Sequence, residues 1–250
     1  VSTGLETKRA IVTGAGSGIG RATARALVRE GARVGLIDID RAAVTQLAEE
    51  LEAAALPLPA DVRDERQVQA AVAEAVDAWA GLDIVVGAAG ISLIGNDDRA
   101  DRLELEVWQR TIDVNLTGMF LAAKHGIRAL LGSGGGSVVL VCSPTGQYGC
   151  SPGADAYSSS KAGVYGLVRV MAADYADDGI RVNGVIPGYT ATPMTAAVSA
   201  SEHEHLLATI PLRRAGLPEE VAEVIAFLAS DRTPYVTGSV WAADGGMTAI

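Results

Sequence analysis

Apolar positions in this chain fall into two alternating kinds of run: short, near-continuous stretches of strand length, and longer Ala-rich stretches of helical length. Arg9–Thr13 (RAIVT) is the first strand, and a glycine-rich turn follows it. A helix is expected from Ile19 to Glu30, ended by Gly31, then a strand over Arg33–Asp38 and a helix over Arg41–Ala55. A weakly marked strand, Leu56–Ala60, precedes a helix at Glu65–Ala80, which Gly81 stops, and a strand at Asp83–Val86. Glu104–Leu131 is one long helical stretch, broken by Gly132–Gly136. Beyond it lie a strand at Ser137–Cys142, a helix at Ala156–Asp178 and a strand at Arg181–Ile186. Pro218–Ser230 is a helix with proline in its first turn, and Ser239–Ala242 is a last short strand. Ile94–Leu103 and Thr192–Pro211 show no clear pattern and read as loops or mobile helices near a site.

Strand and helix in repeated alternation predict an α/β fold, a parallel sheet with helices on both faces. Strands that are apolar throughout suit a sheet buried on both sides. With no Pro/Ser-rich linker, charge block or low-complexity tract, residues 1–250 are expected to form one domain. Apolar residues at 49% and charged ones at 20% place the chain among globular proteins. A net charge of −10 counts against nucleic acid and against an anionic membrane as partner, leaving a small molecule or another protein. The two cysteines, Cys142 and Cys150, suit a reducing compartment better than a disulfide scaffold. No apolar run approaches the roughly 18 residues of a membrane span. Val1–Arg9 lacks the apolar core of a signal peptide, so a cytoplasmic location is expected.

The candidate chemistry begins at Thr13-Gly14-Ala15-Gly16-Ser17-Gly18-Ile19-Gly20, which joins the first strand to the first helix. Its glycines allow a tight turn, and the helix N-terminus behind it offers unpaired N–H groups and partial positive charge to a pyrophosphate. The spacing departs from the strict G-x-G-x-x-G fingerprint, and a tight turn with no ligand is the alternative. Asp38 ends the second strand, 18 residues after Gly20, where a dinucleotide fold places a carboxylate on the adenosine ribose hydroxyls. The same carboxylate repels a 2′-phosphate. Position 39 is Ile and position 17 is Ser, so no neighbouring cation reverses the effect, and NAD is expected over NADP. A helix N-cap is the competing role for Asp38, but Asp40 is better placed for it.

Tyr157 and Lys161 stand four apart at the start of a predicted helix, hence on one face of it. An ammonium beside a phenol favours the phenolate, which lowers the Tyr pKa toward a working pH and suits it to general acid/base chemistry on an alcohol or ketone. Such a pair alone is usually a plain solvated helix face. Here it shares the carboxyl rim of the sheet with Ser143, just past the fifth strand, and with the glycine turn, and that rim is where parallel α/β sheets bind ligands.

In this combination and order, TGxxxGxG, Ser143, Tyr157-x-x-x-Lys161 and a mid-chain Asn115, the chain resembles the short-chain dehydrogenase/reductases over nearly its whole length, from the glycine turn to Asp244-Gly245-Gly246. The resemblance implies a single-domain, Rossmann-like, doubly wound sheet of about seven strands. It implies an NAD-dependent oxidoreductase that interconverts a secondary alcohol and a ketone, with Tyr157 as acid/base. By the same resemblance Ser143 steadies the substrate oxygen, and Lys161 binds the nicotinamide ribose and depresses the Tyr157 pKa. Asn115 kinks the long helix and holds a water for proton relay. The cofactor would be held by Gly14, Ser17, Gly18, Ile19 and Gly20 in the turn and by Asp38 and Ile39 at the ribose. Asp61 and Val62 would meet the adenine, with the backbone of Ala89 and Gly90, and Pro187, Gly188, Thr190 and Thr192, near the nicotinamide. A homotetramer is implied, built on the long helices Glu104–Leu131 and Ala156–Asp178 and on the C-terminal helix and strand.

Three departures stand out. Gly87-Ala88-Ala89-Gly90 replaces the family's Asn-Asn-Ala-Gly, so that stretch is held differently. Ser143 and Tyr157 are fourteen positions apart, one more than the family expects, with the insertion assigned to Cys150–Asp155. Thr190 stands where an aliphatic residue is usual. The segment at about 192–212 should cover the substrate, and its Met194, Ala196, Ala197, Val198, Leu206, Leu207 and Ile210 favour a small apolar or cyclic alcohol over a polyol. A 3-oxoacyl thioester reductase, a non-catalytic NAD-binding sensor and a different Rossmann enzyme such as a methyltransferase are the alternatives. No metal is expected: His203 and His205 point to different sides of a helix and lack a third partner. Cys142 reads as a core residue, Trp79, Trp108 and Trp241 as core or interface, and Gly132–Gly136 as a plain turn.

Overall fold

β1 (Arg9–Thr13), β2 (Arg33–Asp38), β3 (Ala55–Pro59), β4 (Ile84–Gly87), β5 (Gly136–Val141), β6 (Ile180–Pro187) and β7 (Val240–Ala243) form one sheet in the computed structural model, which describes residues 3–148, 151–196 and 198–249. The order is β3-β2-β1-β4-β5-β6-β7, and every pairing is parallel. Chain direction along the sheet reverses between β1 and β4, the switch point at which a crevice opens beyond the carboxyl ends. Thr13 pairs with both Ile37 and Gly87, and Gly87 with Leu140, so those carboxyl ends share one rim.

Alternate strand residues feed two cores. Ile11, Val85, Val138 and Val182 join residues of α3 (Glu65–Trp79), α5 (Gly118–Ser133) and α7 (Asp155–Asp174). Val12, Val86, Val139 and Val185 join α1 (Gly18–Arg29), α2 (Arg41–Leu51) and α9 (Pro218–Ala229). Each fully buried Leu, Ile or Val contributes about 1.5–3 kcal/mol, so both faces of the sheet are strongly covered.

Local chemistry sets the helix ends. Asp40 caps α2 by accepting from the Ala43 N–H, and Asp64 caps α3 by accepting from those of Arg66 and Gln67. Left-handed Ala80 and Gly134 end α3 and α5. Several expected bounds move. α2 stops at Leu51 instead of Ala55, because Ala55 is needed to pair with Val34 at the start of β3, and a 3-10 turn, Glu52–Ala54, bridges the two. The long helical stretch divides into α4 (Leu105–Ile112), a π turn at Asp113–Thr117, and α5. α7 ends at Asp174, four residues before the expected Asp178. A short helix, α6 (Pro144–Tyr148), follows Ser143, so Tyr157 does not begin the next helix after β5 but the one beyond it. The unpatterned 192–212 stretch holds a 3-10 turn, Pro193–Thr195, and α8 (Ala200–Thr209), whose Ser199 and Glu202 form a capping box. Among the described residues no helix is long and apolar enough to cross a membrane.

Candidate active site

Along the rim, the first turn packs backbone against backbone. Gly14 has φ +70°, and a Cβ there would stand 2.8 Å from the Ala89 N and Cα. A Cβ on Gly20 would collide with the Gly14 carbonyl. These contacts explain why the turn needs glycine at both places. Ser17, the N-cap of α1, makes no side-chain cap bond, so the first-turn N–H groups have no side-chain cap, and Gly18, Ile19 and Gly20 line the cleft. Thr13 Oγ1 accepts from the Ala88 and Ala89 N–H groups at 3.1 and 3.2 Å. Met119 Sδ fills the space beside Gly87 that a side chain there would take. Together they hold the stretch that has lost its two asparagines.

Asp38 accepts from the Gly16 N–H at 2.9 Å and from the Asp40 N–H at 2.9 Å, fixing its carboxylate under the glycine turn, while Asp40 takes the cap role. Ile39 beside it is exposed. Arg63 also lines the cleft. Its guanidinium grips Asp61 at 2.6–3.0 Å and holds that carboxyl below the usual range, chiefly by side-chain hydrogen bonding. Asp61, expected to accept from adenine, thus already has a partner, and the ion pair cancels much of the Arg63 charge.

Tyr157 lies in the first turn of α7, and Lys161 lies one turn on. Ser143, two residues past β5, lines the cleft with Tyr157, and its hydroxyl shares a 3.1 Å bond with that of Thr145. Its backbone carbonyl accepts from the Tyr165 hydroxyl at 2.8 Å. Lys161 is buried and donates to the Val141 carbonyl at 2.9 Å. The expected lowering of the Tyr157 pKa by Lys161 is not what the structure shows. Burial pushes Tyr157 above its ordinary value, with Ser143 pulling it back in part. Burial also pushes Lys161 down to about 8, against the pull of Cys142. Both charged forms are desolvated, and that cost outweighs the attractions that oppose it. Cys142 is a core thiol pushed up to about 12 by burial, which rules it out as a nucleophile at neutral pH. Cys150 lies outside the described residues, and Ser151–Ala154 make a turn before α7.

Asn115 sits in the π turn, fully buried. Its Oδ1 accepts from the Ile91 N–H at 2.7 Å, and its Nδ2 donates to the Ile91 carbonyl at 2.9 Å and to Ser160 Oγ at 3.1 Å. The π turn interrupts the long helix at this point, and the side chain ties the segment after β4 to α7. Thr190 is buried with its hydroxyl donating to the Gly188 carbonyl at 3.0 Å, so a polar residue fits where an aliphatic one is usual. His203 turns to Tyr189, whose hydroxyl lies 2.9 Å from its Nδ1. Of the expected site residues, all but Asn115 line a single cleft of about 540 Å³. It runs from Asp38 and Asp61 past the glycine turn to Ser143 and Tyr157, under Met194, Val198, Leu206 and Met247. Tyr165, Arg63 and Met247 were not legible as site residues. Tyr165 alone left a trace, two turns from Tyr157 on the same helix.

A family profile described as Enoyl-(Acyl carrier protein) reductase matches residues 14–248, glycine turn and catalytic helix included. The chain belongs to the short-chain dehydrogenase/reductase family. As a member it is an oxidoreductase of the kind that works with a nicotinamide cofactor. It is 42% identical over 245 residues to the cis-4-hydroxycyclohexanecarboxylate dehydrogenase of Sinomonas cyclohexanicum, covering 96% of each chain. It is 41% identical over 248 residues to a 3-oxoacyl-(acyl-carrier-protein) reductase of Thermotoga maritima, covering 97% of this chain and 98% of that one. A crystal structure of a short-chain type dehydrogenase/reductase from Mycobacterium marinum superposes with a TM-score of 0.94 at 35% identity, over 100% of this chain and 98% of the other.

Proposed function

We propose that this short-chain dehydrogenase/reductase is an NAD-dependent enzyme that interconverts a small apolar or cyclic secondary alcohol and its ketone. The observation that carries the reading is the grouping of Ser143 and Tyr157, with Lys161 one turn on from Tyr157, in a continuous cleft that also holds Asp38. Besides Lys161, the charged lining residues, Asp38, Asp61, Arg63 and Arg110, come from the first half of the chain, whereas Ile91, Ile94, Pro144, Met194, Val198 and Leu206 add apolar lining. The glycine turn, Asp38 and the backbone at Ala89 and Gly90 suit a dinucleotide, because close backbone approach and a fixed carboxylate are what its pyrophosphate and ribose need. Bound there, it supplies the hydride acceptor or donor.

The protein residues handle the rest. Ser143 donates to the substrate oxygen and offsets its growing charge. Tyr157 takes the hydroxyl proton in oxidation and returns it in reduction. Lys161 carries donors for a ribose hydroxyl. Asn115 keeps the segment after β4 in contact with α7. Asp38 disfavours a 2′-phosphate, which supports NAD over NADP.

The 41% identity to a 3-oxoacyl-(acyl-carrier-protein) reductase supports a second reading, reduction of a 3-oxoacyl thioester. The test is reduced-nicotinamide absorbance for wild type and Tyr157→Phe, with NAD or NADP and a panel of ring and open-chain alcohols, and with NADH or NADPH and a 3-oxoacyl thioester. NADH formation from ring alcohols, lost in Tyr157→Phe, is the expected result. Turnover confined to the thioester selects the second reading, and a protein that binds no reduced cofactor overturns both.

A further inference from the structure

α7 carries Tyr157 in its first turn, yet the residue at its N-cap is Ala154, which has no side chain to cap with. The orphan N–H groups are met from elsewhere. Asp97, in the segment between β4 and α4, accepts from the Ala156 N–H through Oδ1 at 3.1 Å and from the Tyr157 N–H through Oδ2 at 2.9 Å. A carboxylate 59 and 60 positions upstream in sequence thus closes the start of this helix, where it also opposes the positive end of the dipole. The other end of the same segment is fixed as well, since the Ile91 N–H and carbonyl are both bound by Asn115. Between the two anchors, Ser92 and Ile94 line the cleft.

We infer that Asp97 is a positioning residue for Tyr157, and that the 91–97 segment joins the wall of the substrate pocket to the backbone of the acid/base. The inference rests on the function proposed above. Asp97 does not reach the reacting atoms; it acts by holding the amide of the residue that does. A shift of Tyr157 of about 1 Å costs on the order of 100-fold in rate, so loss of this anchor should appear in kcat before it appears in binding.

The experiment compares Asp97→Ala and Asp97→Asn with Asp64→Ala, which removes an equivalent two-bond cap from α3. Asp97→Ala should lower kcat by about 10- to 100-fold, with the KM for alcohol and the NADH dissociation constant little changed. Asp97→Asn, which keeps one accepting oxygen, should recover part of the loss and also covers the case in which the alanine variant does not fold. Asp64→Ala should keep wild-type kcat. A second readout needs no turnover: the ring carbon resonance of Tyr157 bearing the hydroxyl, assigned by its loss in Tyr157→Phe, should move in the Asp97 variants and not in Asp64→Ala. If wild type oxidises no alcohol, the functional reading falls while this resonance still decides the role of Asp97. Unchanged kcat and an unmoved resonance in both Asp97 variants would reduce Asp97 to an ordinary cap.

Discussion

Burial governs the electrostatics of Tyr157 and Lys161. With Tyr157 above its ordinary pKa, the phenol is protonated at neutral pH and ready to donate to a ketone. Alcohol oxidation needs the phenolate, so its kcat should rise steadily into the alkaline range, whereas ketone reduction should hold its rate through neutrality; paired pH–rate profiles check this. Lys161 titrates near its ordinary 10.5 in the unfolded chain and near 8 in the folded one. Between those values the unfolded state holds more protons, so stability from this site rises with pH across the window. Below about 8 the whole burial cost is present, on the order of 3 kcal/mol. Lys161→Met should therefore abolish turnover yet raise Tm at pH 7 by about 6–12 °C. The gain should shrink as pH climbs from 8 toward 10, and calorimetry that finds a lower Tm at pH 7 defeats the argument. At this scale Tyr157, Lys161, Ser143 and Asp38 were legible because their spacing and their places after strands carry the chemistry. The direction of the Tyr157 shift was not, because spacing says nothing about desolvation. Arg63 escaped notice for a related reason: nothing in its spacing shows that it lines the cleft.

Between elements, the exchange of Gly87 and Met119 is the most testable contact. β4 carries a glycine where the family has asparagine, and α5 supplies the sulfur that fills the room. Gly87→Asn should destabilise by about 1–3 kcal/mol through overpacking, and Met119→Ala in the same chain should relieve much of that cost. Denaturant midpoints for the two single variants and the double give the coupling, and strict additivity would show that the two sites do not compete. At the opposite edge of the sheet, Arg9 binds Asp83 at 2.7 and 2.9 Å and joins β1 to the start of β4. Burial pushes the Asp83 pKa up, but the hydrogen bonds and charge of Arg9 outweigh it and hold the carboxyl low. Its contribution is present above the ordinary carboxylate pKa and is lost as pH falls through the lowered one. Arg9→Ala should lower Tm at pH 7 and lose less of it below pH 4, with kcat unchanged. Strands and most helices were readable from glycine, proline and capping residues. The π turn and the end of α2 were not, because each is set by a distant partner: Ile91 for Asn115, and Val34 for Ala55.

For the molecule as a whole, the uncovered apolar residues point to self-association. Leu105 on α4, Phe120 and Leu131 on α5, and Val170 on α7 are all exposed, while Tyr235 and Trp241 are exposed beside the edge strand β7. We propose that the homotetramer buries these two surfaces. Light scattering should give the mass of four chains, and Val170→Asp should reduce it; a wild-type monomer overturns the proposal. The net charge of −10 keeps such assemblies apart in solution without opposing contact through apolar faces. The strand order also bears on how the chain is made. β1 lies mid-sheet, yet its neighbour β4 follows 74 positions later, Ala10 pairing with Ile84. During synthesis β1, β2 and β3 can assemble with one side of β1 bare, and at ribosomal rates that side waits about 4–15 s for β4. The glycine turn is thus translated before Ala89, the residue that will press against it, and the nascent chain carries an open strand edge through the first third of its synthesis.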